Sequence, residues 1–133
     1  MPVELPPGYH PSLSEDYMNP AQIEYFRRKL WESLADLRRE LEALPRIEPD
    51  ESVHEGDRSD QASADADRSF DAINRARIQN LLHQIEQALV RLENGTYGFC
   101  EDTGEPIGLK RLMAQPATSL SLVAQQERER RAG

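Results

Sequence analysis

Residues 99–112 read "FCEDTGEPIGLKRL" and carry the one cysteine of the chain, Cys100. A cysteine, a tight acidic turn, a glycine, a Pro-Ile-Gly step and a basic "KRL" spell the first half of a zinc knuckle. Such a knuckle needs Cys-x-x-Cys, because a structural zinc site is closed by four ligands rich in thiolate or imidazole. Thr103 stands where the second thiolate belongs. A single thiolate cannot hold the ion against water and cellular chelators, so zinc is predicted to be absent. A lone cysteine also allows no internal disulfide, and it fits a reducing compartment.

The other residues that could do chemistry are acidic. Eight carboxylates fall between Asp50 and Asp71, with Asp57 and Asp60 at i, i+3 spacing. An enzyme could use such a pair to hold a metal or transfer protons. Yet the pair lies in a polar stretch with no apolar pocket to exclude water, and His10, His54 and His83 are scattered without metal-ligand spacing. The ordinary roles are a helix cap for Asp60 and a solvated charge for Asp57. The chain is read as non-enzymatic.

The elements that must position these residues are helices. "NPAQ" starts the first: Asn19 caps, Pro20 takes the first helical position, and Gln22 sits where a capping-box partner belongs. Ile23, Phe26, Leu30, Leu34, Leu37, Leu41 and Leu44 then recur at steps of 3 or 4. Pro45 stops or kinks this helix near Leu44. A polar, acidic connection follows, and a second helix is expected from about Ser59 or Asp60 to Asn94. Its apolar face carries Phe70, Ile73, Ile78, Leu81, Leu82, Ile85, Leu89 and Leu92, and Asn94-Gly95 ends it. Two long helices with matching seams predict an antiparallel hairpin that closes its own seam, hence a monomer. After residue 95 comes a small globular end with a short last helix, expected to be capped by Thr118 or Ser119.

Fold class is therefore all-α dominated: a long antiparallel helical hairpin plus a small zinc-finger-like globular end with a C-terminal helix. Residues 1–18, which hold four of the nine prolines, form an extended segment packing on the globular end. Residues 19–95 make the hairpin, with a tip near 50–62, and residues 96–133 the degenerate finger. Net charge is −8, which argues against direct DNA binding through phosphate contacts and favours a protein partner with a basic surface. No apolar stretch is long enough to span a bilayer and no basic-then-apolar leader opens the chain, so the expected site is the cytoplasm.

Three blocks resemble the DksA family of bacterial RNA polymerase secondary-channel regulators. "EDYMNPAQIEYFRRKL" at residues 15–30 is close to the family's "EEYMNEAQLxxFRRxL". "DRSDQA" at residues 57–62 matches the tip pattern D-x-x-D-x-A, and "YGFCEDTGEPIGLKRLMAQPATSL" at residues 97–120 follows "FGYCExCGxxIGxxRLxARPxAxLC". The resemblance implies a rod that enters the channel through which nucleotides reach the active site, a knob that stays at the rim, and open complexes that are destabilised. It implies tip roles for Asp57, Asp60 and Ala62. It also implies an interface with polymerase and the alarmone ppGpp at Arg77, Leu81 and Arg111.

The chain departs from the family at two places. The four zinc-ligand positions fall on Cys100, Thr103, Ser121 and Ala124, so only one ligand survives. Ile107, Leu109, Leu112, Leu120, Leu122 and Val123 are expected to form an apolar minicore in place of the ion, with the Thr103 and Ser121 hydroxyls bonding nearby backbone. Gln84, Gln115 and Gln125 stand where the family carries basic residues. Coupling to ppGpp is expected to be weaker, unless Lys110, Arg111 or the "RERR" at residues 128–131 compensate. A non-catalytic helical adaptor that pairs through its seam is the alternative.

Overall fold

The computed structural model describes residues 3–45 and 58–133, and of residues 58–61 the backbone alone. Among the described residues there are four helices: α1 (Pro20–Ala43), α2 (Arg58–Asn94), α3 (Leu109–Ala114) and α4 (Leu122–Ala132). At 37 residues α2 is roughly 55 Å long. Among the described residues no helix is long and apolar enough to cross a membrane.

Local sequence sets the helix ends. The Asn19 side chain accepts the Gln22 amide at 2.8 Å, and the Gln22 Oε1 reaches back to accept the Met18 amide at 2.8 Å. Two donors that helix geometry leaves orphaned are thus satisfied. α1 stops at Ala43, and Leu44 is already extended, as the residue before a proline must be. α2 closes with Gly95 at φ +75. The Thr96 amide donates to the Arg91 carbonyl at 2.9 Å and the Gly95 amide to that of Leu92 at 3.4 Å, the paired bonds of a Schellman motif.

α1 and α2 pack as the predicted antiparallel hairpin. Phe26, Leu30 and Leu34 from α1 and Ile78, Leu82, Ile85, Ala88 and Leu92 from α2 are buried in one core. That core continues without a break into the globular end through Tyr97, Cys100, Ile107, Leu109, Leu112 and Ala124. Arg77 of α2 pairs with Glu40 of α1 at 3.4 Å, and Arg75 donates to the Pro45 carbonyl at 2.9 Å. These contacts mark where the described part of α1 runs out along α2.

Several expectations need correction. Phe70 and Ile73 carry the right spacing for the seam but are 69% and 70% exposed. They lie on α2 before the level that α1 reaches, so no described element covers them. Leu122 and Val123 are likewise exposed, at 55% and 74%. α4 turns Ala124 inward instead, and Ile107, Leu109 and Leu112 supply the minicore. Ser121, not Thr118 or Ser119, caps α4: its Oγ accepts the Ala124 amide at 3.1 Å. α2 begins at Arg58, which makes Asp60 the third residue of the first turn rather than its cap. The globular end also holds the short helix α3, in addition to the expected last helix.

Candidate functional site

The knuckle folds as a small loop. Phe99 and Pro106 form an isolated antiparallel bridge, the Cys100 amide donates to Glu105 O at 2.7 Å, and the Ile107 amide to Gly98 O at 2.8 Å. The loop is joined to α4 where a metal would otherwise cross-link the two. The Ser121 amide donates to Cys100 Sγ at 3.3 Å, and the Glu101 amide to Ser119 O at 2.8 Å. Farther along, Arg128 makes a two-pronged ion pair with Asp102.

The four positions do not fit a zinc ion. Thr103 Oγ1 is occupied as acceptor of the Glu105 amide at 3.2 Å, and Ser121 Oγ as the α4 cap. Ala124 is a buried methyl with no donor atom. Cys100 is the only thiolate, and it is buried. Burial works against its charged form, but hydrogen bonds from the Ser121 amide and the Thr103 hydroxyl, with smaller ones from the Ser121 hydroxyl and Thr103 amide, outweigh that and bring its pKa down to about 6. Each hydroxyl accepts an amide and still has its own hydrogen to give the sulfur.

A second site lies where the hairpin meets the globular end. An open groove of about 800 Å³ runs between α1, α2 and the 114–120 segment. Leu81, Gln84, Gln115 and Gln125 line it together, although they come from three parts of the chain. Arg111 stands behind Gln125: its guanidinium bonds the Gln125 side chain and donates to Leu120 O at 2.9 Å. That cation is thereby committed to holding α3 against α4. Arg77 does not line the groove; it sits one turn from Leu81 and is engaged with Glu40 and Asn74. Arg128 is taken by Asp102, and Arg130 and Arg131 pair with Glu127. Lys110 is exposed.

At the far end, Ala62 is exposed on α2 and Asp60 lies in its first turn. Asp57 falls outside the described residues, as does most of the connection between the helices. One residue of interest escaped the sequence reading. The Tyr17 hydroxyl donates to Gly98 O at 2.6 Å and accepts the Gly108 amide at 3.0 Å, more than eighty residues away. Only the motif "EDYMN" around it gave any signal.

Comparison with known proteins bears on both sites. Residues 22–92 match the family described as "DnaK suppressor protein DksA, N-terminal domain" and residues 95–130 that described as "Prokaryotic dksA/traR C4-type zinc finger". The chain is similar to the RNA polymerase-binding transcription factor DksA of Caulobacter vibrioides, with 43% identity over 92% of this chain and 87% of the relative. It is also similar to the protein of that name from Escherichia coli K12, at 34% over 86% of this chain and 76% of the relative. Among solved structures, transcription factor DksA2 from Pseudomonas aeruginosa superimposes with a TM-score of 0.68 at 34% identity, covering 87% of this chain and 89% of that one.

Proposed function

The chain belongs to the DksA family, and from that premise we propose that it is a non-catalytic transcription regulator that binds bacterial RNA polymerase through the secondary channel. Its knob seats at the rim and its rod enters the channel, where it destabilises promoter open complexes, above all at ribosomal RNA promoters. The process is a population shift: the factor displaces the equilibrium only by the difference in its affinity for two states of the polymerase–promoter complex. Asp60 and Asp57 act at the tip through their charge, and Ala62 shares the tip with them.

The observation that carries this proposal is 43% identity to an RNA polymerase-binding factor along 92% of a chain folded as hairpin and knob. Two finer points concern what this chain does differently. It works without zinc, because the donor set around Cys100 cannot close a tetrahedron. Its response to ppGpp is weak, because a polyanion in the amide-lined groove loses the charge-assisted bonds that cations would give it. Against the adaptor alternative stands the part of the seam where α1 and α2 meet: Phe26, Leu30 and Leu34 are already buried within the chain, which, among the described residues, leaves only the stretch at Phe70 and Ile73 open to a partner.

The test is direct. Purified protein should bind RNA polymerase core and inhibit a ribosomal promoter in vitro, with only a modest further effect of ppGpp. Absence of core binding would end the proposal. Strong nucleotide synergy would mean that cations outside the amide-lined groove serve it.

A further inference from the structure

The globular end is joined covalently to the hairpin through the turn after α2. That turn holds two glycines with left-handed backbone, Gly95 at φ +75 and Gly98 at φ +91. Without side chains to restrict them, these residues are natural pivots. Arg91, from the last turns of α2, reaches across that turn to the carbonyls of Ala117 and Thr118, a first tie, made by the helix that the turn follows.

A second tie comes from the other helix. Tyr17 precedes Asn19, the cap of α1, by two residues. Its hydroxyl grips both ends of the knuckle loop at Gly98 O and Gly108 N, and its ring meets Phe99 edge-on at 5.7 Å. Between the tyrosine and the cap lies Met18, the one non-glycine residue with positive φ among those described, at 56°. That strained turn is held by the bond from its amide to the fully buried Gln22. On its other side Met18 packs against Gly98 so closely that a Cβ there would come within 2.7 Å of its sulfur.

We infer that Tyr17 is a positioning residue that fixes the angle between the knob and the hairpin, joining α1 to the knuckle so that the glycine turn after α2 cannot act as a hinge. Resting on the secondary-channel proposal, the same tie determines whether a knob seated at the rim delivers the rod tip to the active-site end. The hydroxyl is the part of Tyr17 that bonds both ends of the knuckle loop. Tyr17→Phe keeps the ring on Phe99 and removes both bonds.

In the free protein, hydrogen exchange of the Gly108 amide should rise by about tenfold in Tyr17→Phe while amides in the middle of α2 keep their protection. Spin labels at Ala62 and Met113 should give a broader distance distribution than in the parent. Met18→Ala, which removes the side chain packed against Gly98, should broaden it too. Unchanged exchange at Gly108, or distributions as narrow as the parent's in both variants, would overturn the inference. With polymerase core, photo-crosslinkers at Met113 and Ala62 of the full chain should both react in the parent. In Tyr17→Phe the Met113 crosslink should persist and most of the Ala62 crosslink should vanish, whereas equal Ala62 crosslinking would refute the delivery role. A parent that crosslinks from neither position refutes the channel proposal instead, and leaves the free-protein measurements to decide the role of Tyr17.

Discussion

At the scale of single residues, the ligand positions have acquired new occupations. Ser121 is the clearest case: its amide donates to Cys100 Sγ while its hydroxyl caps α4. The thiolate this favours has a pH signature. Folding lowers the Cys100 pKa from 9.0 to about 6, so the unfolded chain binds the extra proton between those values. The stability contributed is full above pH 9 and is lost as pH falls toward 6. Thiolate ultraviolet absorbance should titrate near pH 6, and thermal stability should rise from pH 6 to 9 by more in the parent than in Cys100→Ala. A thiol titrating near 9 in the folded protein would contradict this. Asp60 offers a second test. In the first turn of α2 it meets the positive end of the helix dipole, so Asp60→Asn should cost only about 0.3–1 kcal/mol. The variant should still bind polymerase yet fail to shorten open-complex lifetime. Parental repression by a folded Asp60→Asn protein would reduce that aspartate to a helix-end charge.

At the scale of elements, the groove between the hairpin and the 114–120 segment brings Leu81, Gln84, Gln115 and Gln125 to one surface. No lysine or arginine is among the described residues that line it. Arg111 cannot make up the difference without releasing Leu120 and Gln125, which it ties to α3. The double variant Gln84→Lys, Gln115→Arg, which leaves the Arg111–Gln125 bond in place, should therefore gain ppGpp enhancement of promoter inhibition, while inhibition without nucleotide changes little. No gain in the double variant would show that the groove does not receive the nucleotide.

At the scale of the whole molecule, one core runs from the hairpin into the knob, with Phe26 against Tyr97 at the junction, ring centroids 5.7 Å apart. On the zinc-free reading proposed above, this shared core is what keeps the globular end in shape. Pure protein should contain no stoichiometric zinc, and a chelator should leave its thermal unfolding unchanged. One zinc per chain by elemental analysis would overturn this. A rebuilt ligand set, Thr103→Cys with Ser121→Cys and Ala124→Cys, should bind zinc and become chelator-sensitive.

What the sequence determined by itself was local. Asn19, Pro20 and Gln22 start α1, Pro45 ends it, Gly95 ends α2, and the leucine spacing makes both helices amphipathic, because caps and periodicity act within a few residues. Counting ligands at Cys100, Thr103, Ser121 and Ala124 likewise needed no coordinates. Tertiary structure decided which apolar residues found a partner. Phe70 and Ile73 have the same periodicity as Ile78 and Leu82, yet α1 ends before it reaches them. Leu122 and Val123 lost the inward face of α4 to Ala124 because Ser121 set where that helix begins. The clasp of Tyr17 on Gly98 and Gly108 and the meeting of three glutamines in one groove join residues from ten to more than ninety positions apart. No local pattern encodes such a meeting; it follows only from how the hairpin docks on the knob.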